Sequence, residues 1–209
     1  MSTPSLKVVV AITSPIAFHA LKNQSILQTC IQTSSEFALQ YGANAHIAVA
    51  GTKEDLLHIN NFDCEKIYCD PNSAADFAHA LKMAQPTDLV MIHDSQRALT
   101  KTAQFERVLS ALTSDCDAVR PVSGFTETLK VVNAELFIEG TIDRNSMKKI
   151  ATPELIRYSA INFNGSASTW FVPLQTDARI TTVDADPESA RINSEKEIEL
   201  MKYLVDWIQ

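Results

Sequence analysis

Glycine is scarce in this chain: there are five in 209 residues, and none precedes Gly42. That excludes a glycine-rich phosphate loop at the first strand-to-helix turn, since such a loop needs backbone that can approach a ligand without a Cβ. The four cysteines (Cys30, Cys64, Cys69, Cys116) show no CxxC spacing and no accompanying histidine pair, which argues against a zinc framework. They read as reduced, mostly buried thiols of a cytoplasmic protein. Cationic excess is also missing. Eighteen Lys and Arg against 25 Asp and Glu give a net charge of −7, the wrong sign for a chain whose main partner is nucleic acid. No apolar run is long enough to span a membrane, and Met1 to Lys7 leads straight into a strand without a signal pattern.

What is present fits one domain over residues 1–209, with the 45% apolar and 21% charged fractions of a soluble globular protein. Short β-branched runs alternate with longer helical patterns, the signature of βαβ units on a doubly wound, mostly parallel sheet. Strands are expected at Leu6 to Ile12, Ala45 to Ala50, Lys66 to Cys69, Leu89 to Ile92, Ala118 to Val122 and Ile180 to Val183. Helices are expected over Asn23 to Tyr41 (closed by Gly42), Lys53 to Leu57, Ser73 to Ala84, Ala103 to Leu112 and Glu195 to Ile208. The last carries Ile198, Met201, Leu204, Val205 and Ile208 as a packing face. Thr128 to Val132 and Phe137 to Ile142 lie too close for a crossover helix and read as a hairpin projecting from the sheet. Pro153 to Ser159 is expected to be a short helix with Pro at its first position, and residues 160 to 169 a loop.

Two groups of residues carry possible chemistry. His93-Asp94-Ser95-Gln96-Arg97 stands at the carboxyl end of an apolar strand, where open α/β sheets bind ligands. Asp94 could hold a divalent cation or a sugar hydroxyl, and Arg97 a phosphate. The same residues equally read as a local helix cap with Asp94 paired to Arg97. Thr126 to Lys130 and Thr141 to Asn145 lie at the root and far end of the hairpin, where hydroxyls and cations could hold an anion or simply form a solvated face. The other histidines (His19, His46, His58, His79) are scattered with no i,i+4 pair.

The order of the pieces is more specific than any one of them. HDSQR, DAVRPV, TETLKVV, TIDR and ATPELI in succession resemble the methylerythritol-phosphate cytidylyltransferase family and the related ribitol-phosphate cytidylyltransferases, most strongly from Thr87 to Ile156. The resemblance implies a Rossmann-like nucleotidyltransferase fold whose projecting β-arm, about 127–153, makes a homodimer. It implies transfer of CMP from CTP to a sugar-alcohol phosphate, with Mg²⁺ as cofactor and release of pyrophosphate. By position, it makes Asp94, Arg97 and Arg191 the catalytic residues, with Asp94 beside the metal. Thr128, Lys130, Arg144, Thr152 and Asn193 become the substrate-binding residues, and Arg144 serves the neighbouring subunit. Arg191 and Asn193 stand where that family has a lysine and a threonine, and Glu154 where it has a glutamine.

The departures fall on the nucleotide side. Ile12-Thr13-Ser14 runs directly into Pro15-Ile16-Ala17, so the Gly-x-Gly-x-Arg loop is expected to be deleted, with Ile16 at the place of its lysine. Asp70 to Asp76 lacks the glycine and arginine of the cytosine-reading segment and puts Asp76 at its serine. Lys7, Lys22 and Arg97 are the cations left to compensate. Nucleotidyl transfer rests on positioning and on fixed positive charge. Two readings stay open: a cytidylyltransferase of the isoprenoid route with an altered donor half, or a non-catalytic homologue that binds a sugar phosphate or pairs with an active paralogue.

Overall fold

The computed structural model describes residues 3–59, 61–166 and 171–208. Strand β1 (Leu6–Ala11) leads through a 3-10 turn (Pro15–Phe18) and a small ribbon, β2 (Ala20–Leu21) with β3 (Gln24–Ser25), into α1 (Ile26–Tyr41). There follow β4 (Ala45–Gly51), α2 (Lys53–Leu57), β5 (Glu65–Tyr68), α3 (Ala74–Met83), β6 (Leu89–Asp94), α4 (Thr102–Ser110) and β7 (Ala118–Ser123). The arm is β8 (Leu129–Val132) with β9 (Ile138–Ile142); then come β10 (Lys149–Ile150), β11 (Glu154–Arg157), β12 (Ile180–Asp184) and α5 (Glu195–Ile208).

Local chemistry sets these boundaries. Ser25 and Gln28 form a reciprocal capping box that starts α1, and Gly42, at φ 107°, supplies the left-handed residue that ends it. Thr52 and Asp55 repeat the box at α2. Gly51 is needed for space, because a Cβ there would lie 3.1 Å from that of Asp55 and 3.2 Å from Ile12 Cδ1.

In the main sheet β1 pairs in parallel with β4 on one side and β6 on the other, and β5 extends the β4 side. Beyond β6 lies β11, antiparallel to both β6 and β7. Strands β10 and β11 share one edge of β7, and β12 runs parallel along the other. The chain therefore builds outward from β1 through β4 and β5, then returns to β6 on the opposite side. The crevice between the carboxyl ends of β1 and β6 is the topological switch point.

Both faces are covered, which is why β1 is apolar almost throughout. Val9 and Ala11 face a core completed by Phe77, Ala78 and Leu81 of α3. Leu6 and Val8 face Phe37 of α1 and Phe105 of α4, while Val10 joins Ile26, Leu27 and Ile198. This is the period-2 alternation of a strand buried on both sides. Each of the larger of these side chains contributes roughly 1.5–3 kcal/mol of burial, and the alanines less.

The expected helix at Pro153 to Ser159 is corrected: residues Glu154–Arg157 are strand β11, and only Tyr158–Ala160 turn as a 3-10 helix. Four residues, with Leu155 and Ile156 fully buried, fit between β6 and β7, and this pairing outweighs the helix-start signal of Pro153. Of the expected loop at 160 to 169, the described part makes one isolated bridge, Ile161 to Leu174; residues 167–169 lie outside the described residues. The other expected strands and helices stand within a few residues of their anticipated bounds.

If β11 is a core strand, Leu155→Ala should cost about 2–5 kcal/mol by urea denaturation; a surface helix would lose far less. A second prediction concerns His93, which is fully buried, 5.1 Å (ring to ring) from Phe105, with Nδ1 3.0 Å from Thr152 Oγ1. Burial pulls its pKa down to about 4, Asp94 opposing and Arg97 reinforcing the shift. Unfolded histidine titrates near about 6.5, so the unfolded chain takes up a proton that the native state refuses. Stability should be full above pH about 6.5 and fall by up to about 3 kcal/mol as the pH drops toward about 4. Urea midpoints across that range should decline less steeply in His93→Gln.

Candidate active-site crevice

The crevice is built on Asp94, the last residue of β6, which lies opposite Ala11 at the end of β1. Asp94 is only 2% exposed, and its carboxylate is surrounded by donors. Thr13 Oγ1 lies 2.8 Å from Oδ1, the Gln96 amide donates to Oδ1 at 3.0 Å, and Arg191 Nε donates to Oδ2 at 2.7 Å. Arg191 reaches in from the segment before α5. Its Nη2 donates to Thr13 Oγ1 at 3.1 Å and to Gln96 Oε1, and its Nη1 donates to Asn193 Oδ1 at 2.6 Å. The Ile192 carbonyl accepts from Gln96 Nε2, and the Ile192 amide donates to the Gln96 carbonyl at 2.9 Å. Gln96 thereby pins the arginine-bearing segment to the end of β6.

Arg97 lies behind this pair. Its Nη1 donates to the Ser189 carbonyl at 2.6 Å and its Nη2 to the Ile150 carbonyl at 3.0 Å, while Nε stands 3.9 Å from Asp94 Oδ2 without a hydrogen bond. Burial draws its pKa below the ordinary guanidinium value, Asp94 opposing and Arg191 adding to the fall. Thr152 is fully buried; its Oγ1 accepts from the Asp94 amide at 3.1 Å, and its carbonyl accepts from Gln104 Nε2 at 2.6 Å. The hydroxyl expected to touch substrate thus braces the backbone that carries Asp94.

The sequence-derived residues divide into two groups. Asp94, Arg97, Arg191 and Asn193 come together, with Thr152 behind them. Thr128, Lys130 and Arg144 sit exposed on the arm, where Lys130 Nζ donates to Thr141 Oγ1 at 2.7 Å and Arg144 Nη1 to the Thr126 carbonyl. Thr13 and Gln96 were missed as site residues. The signal was available: Gln96 belongs to the strand-end motif, and Thr13 follows the strand that borders the switch point.

Beyond β1, where the resemblance leads one to expect a nucleotide loop, the crevice is bordered by a closed turn. Pro15 has no N–H, the Ile16 amide donates to Ser14 Oγ, the Ala17 amide to the Ser14 carbonyl, and the His19 amide to the Ile16 carbonyl. Ile16 and Phe18 pack against the core beneath. The rim is acidic: Asp70 caps Asn72, Asp76 accepts from the Asp70 amide, and Asn72 Nδ2 donates to the Thr13 carbonyl at 3.2 Å. The cations expected to compensate are engaged elsewhere: Lys7 is buried against Glu65 at 2.7 Å, Lys22 binds Asp206, and Arg97 is held as above.

The Mg²⁺ implied at Asp94 fits these residues poorly. Magnesium wants near-octahedral oxygens, supplied by one or two carboxylates together with phosphates and water. Here an arginine already holds one carboxylate oxygen, and among the described residues no three His, Cys, Asp or Glu converge on a metal site. A cavity of about 710 Å³ opens between α1 and the amino ends of β4 and β5, lined by His46, Asp63 and Cys64. It lies at the wrong end of a parallel sheet for ligand binding, and the Asp94 crevice is the better candidate. No helix among the described residues is long and apolar enough to cross a membrane.

Comparison with known proteins places this geometry. Residues 10–169 match the family described as 2-C-methyl-D-erythritol 4-phosphate cytidylyltransferase, IspD. Proteins named 2-C-methyl-D-erythritol 4-phosphate cytidylyltransferase from Rhodococcus jostii and Nocardia farcinica are 29% and 28% identical to it. Those matches cover 60% of this chain, and it spans only 58% and 57% of the two relatives' lengths. Among solved structures, the 4-diphosphocytidyl-2C-methyl-D-erythritol synthase of Anaerococcus prevotii superposes with a TM-score of 0.75 at 17% identity, covering 97% of this chain and 99% of the other. The Thermus thermophilus 2-C-methyl-D-erythritol 4-phosphate cytidylyltransferase gives 0.71 at 18%, covering 94% and 98%. At such identities the superpositions establish the Rossmann-like α/β fold, while the match over residues 10–169 decides the family. The chain belongs to the IspD family, that of the 2-C-methyl-D-erythritol 4-phosphate cytidylyltransferases.

Proposed function

We propose that this chain is an IspD-type cytidylyltransferase of isoprenoid biosynthesis that keeps the acceptor half of its site and has a weakened donor half. It binds a sugar-alcohol phosphate of the 2-C-methyl-D-erythritol 4-phosphate type and transfers CMP from CTP slowly when acting alone. The carrying observation is the turn Pro15–Phe18, whose amides at Ile16 and Ala17 are used up within the turn. A polyanion there meets Ile16 and Phe18 packed inward and Asp70 and Asp76 on the rim, in place of a cradle of N–H groups and cations.

Arg144 and Lys130 suit the acceptor phosphate: both are exposed cations on the arm, and a guanidinium binds phosphate bidentately. The arm presents Val131, Leu136, Phe137 and Ile138 to solvent, and a two-stranded ribbon is marginal unless covered. A homodimer in which each arm packs on its partner would cover that surface and bring Arg144 toward the partner's crevice. Asp94 positions Arg191 there, Arg97 and Arg191 supply the fixed positive field, and Thr152 and Asn193 hold these groups in place. In the transfer, an acceptor phosphate oxygen attacks the α-phosphorus of CTP and pyrophosphate leaves.

The same turn favours a second reading, a non-catalytic sugar-phosphate binder or dimerisation partner of an active paralogue. Separate calorimetric titrations distinguish the cases. The acceptor phosphate should bind in the micromolar range, Arg144→Ala should weaken it by at least about tenfold, and CTP should bind far more weakly. Slow but measurable pyrophosphate release supports the enzyme; none at all supports the second reading. Tight CTP binding with fast turnover contradicts both.

A further inference from the structure

The mismatch between Asp94 and a divalent cation can be followed atom by atom. Arg191 has five N–H donors. Nε donates to Asp94, one Nη1 hydrogen to Asn193, and both Nη2 hydrogens to Thr13 and Gln96, leaving a single Nη1 hydrogen for any ligand. Asp94 is equally committed: Oδ1 takes Thr13 and the Gln96 amide, and Oδ2 takes Arg191. Arg97 Nε stands 3.9 Å from Oδ2, so the carboxylate already faces two positive charges, one three residues along its own segment and one from the segment before α5.

We propose that the Arg191 guanidinium is the resident cation of this crevice, occupying the position on Asp94 that a divalent metal would need, so that Asp94 does not bind Mg²⁺. The physical case is like-charge exclusion. A divalent ion drawn to Asp94 Oδ2 would sit within a few ångström of Arg191, and it would have to displace a charge-assisted hydrogen bond to reach the oxygen. Among the described residues the protein adds no free oxygen ligand beside it, since the other groups at the carboxylate are a threonine hydroxyl and a glutamine already paired with Arg191 and Ile192. This goes beyond the substrate reading and does not depend on it, because it concerns the metal alone.

The test is Mn²⁺ titration of the full chain, followed by water-proton relaxation or calorimetry without nucleotide. The quantity read is the part of the binding that Asp94→Asn removes, which discounts ions held by the acidic rim. In the unsubstituted protein that part should be nil up to about 1 mM Mn²⁺. In Arg191→Ala it should appear, tightened at least about tenfold, and vanish again in the Asp94→Asn/Arg191→Ala double variant. If Arg191→Ala fails to fold by circular dichroism, Arg191→Met keeps the aliphatic stem and carries the same comparison. Asp94-dependent Mn²⁺ binding in the unsubstituted protein would overturn the proposal. So would a folded Arg191 variant that gains none.

Discussion

The contact between Asp94 and Arg191 organises this molecule's crevice. It joins the end of a central strand to the segment before the last helix, and Thr13 and Gln96 both bond to it. Burying a carboxylate at 2% exposure demands such partners, because an unpaired buried charge costs several kcal/mol. The rest of the site is arranged to provide them. Thr152 and Gln104 fix the backbone around Asp94, and Arg97 adds positive field from behind.

Placement at the β1–β6 switch point follows from topology alone, and topology follows from alternation. A β1 that is apolar on both faces has to be covered on both faces, so the helices divide between the two sides and the strand order reverses. The crevice at that reversal is common to open α/β folds. What distinguishes this chain is how the crevice is filled: its neighbouring turn packs Ile16 and Phe18 inward, and its buried carboxylate, Asp94, is matched by an arginine. The arm, by contrast, leaves Lys130 and Arg144 exposed together with Val131, Leu136, Phe137 and Ile138.

Much of this could be read from residues. The alternation of β-branched runs with helical periodicity located α1 to α5 and the longer strands apart from β11, because signals such as Gly42 and the polar cap before α3 are local, while the two-residue strands β2, β3 and β10 left no such pattern. The strand β11 could not be read so. Proline followed by Glu-Leu-Ile-Arg carries a helix-start signal, and only the slot between β6 and β7 makes it a strand. Within the site, Asp94 and Arg97 were legible from their strand-end motif and Arg191 from the family resemblance. The positions of Thr13 and Gln96 at the strand ends were legible too, but their bonding partners and the bracing role of Thr152 were not, since hydrogen bonds between residues 58 to 178 positions apart leave no periodic trace.

With the crevice braced by the Asp94–Arg191 pair, the proposed weak donor half requires that the Pro15–Phe18 turn hold a triphosphate only loosely. A crystal structure of the protein soaked with CTP and magnesium addresses it most directly. The account predicts the Asp94–Arg191 contact intact and no ordered nucleotide against that turn. An ordered triphosphate lying there, with Arg191 swung away and a metal on Asp94, would contradict it.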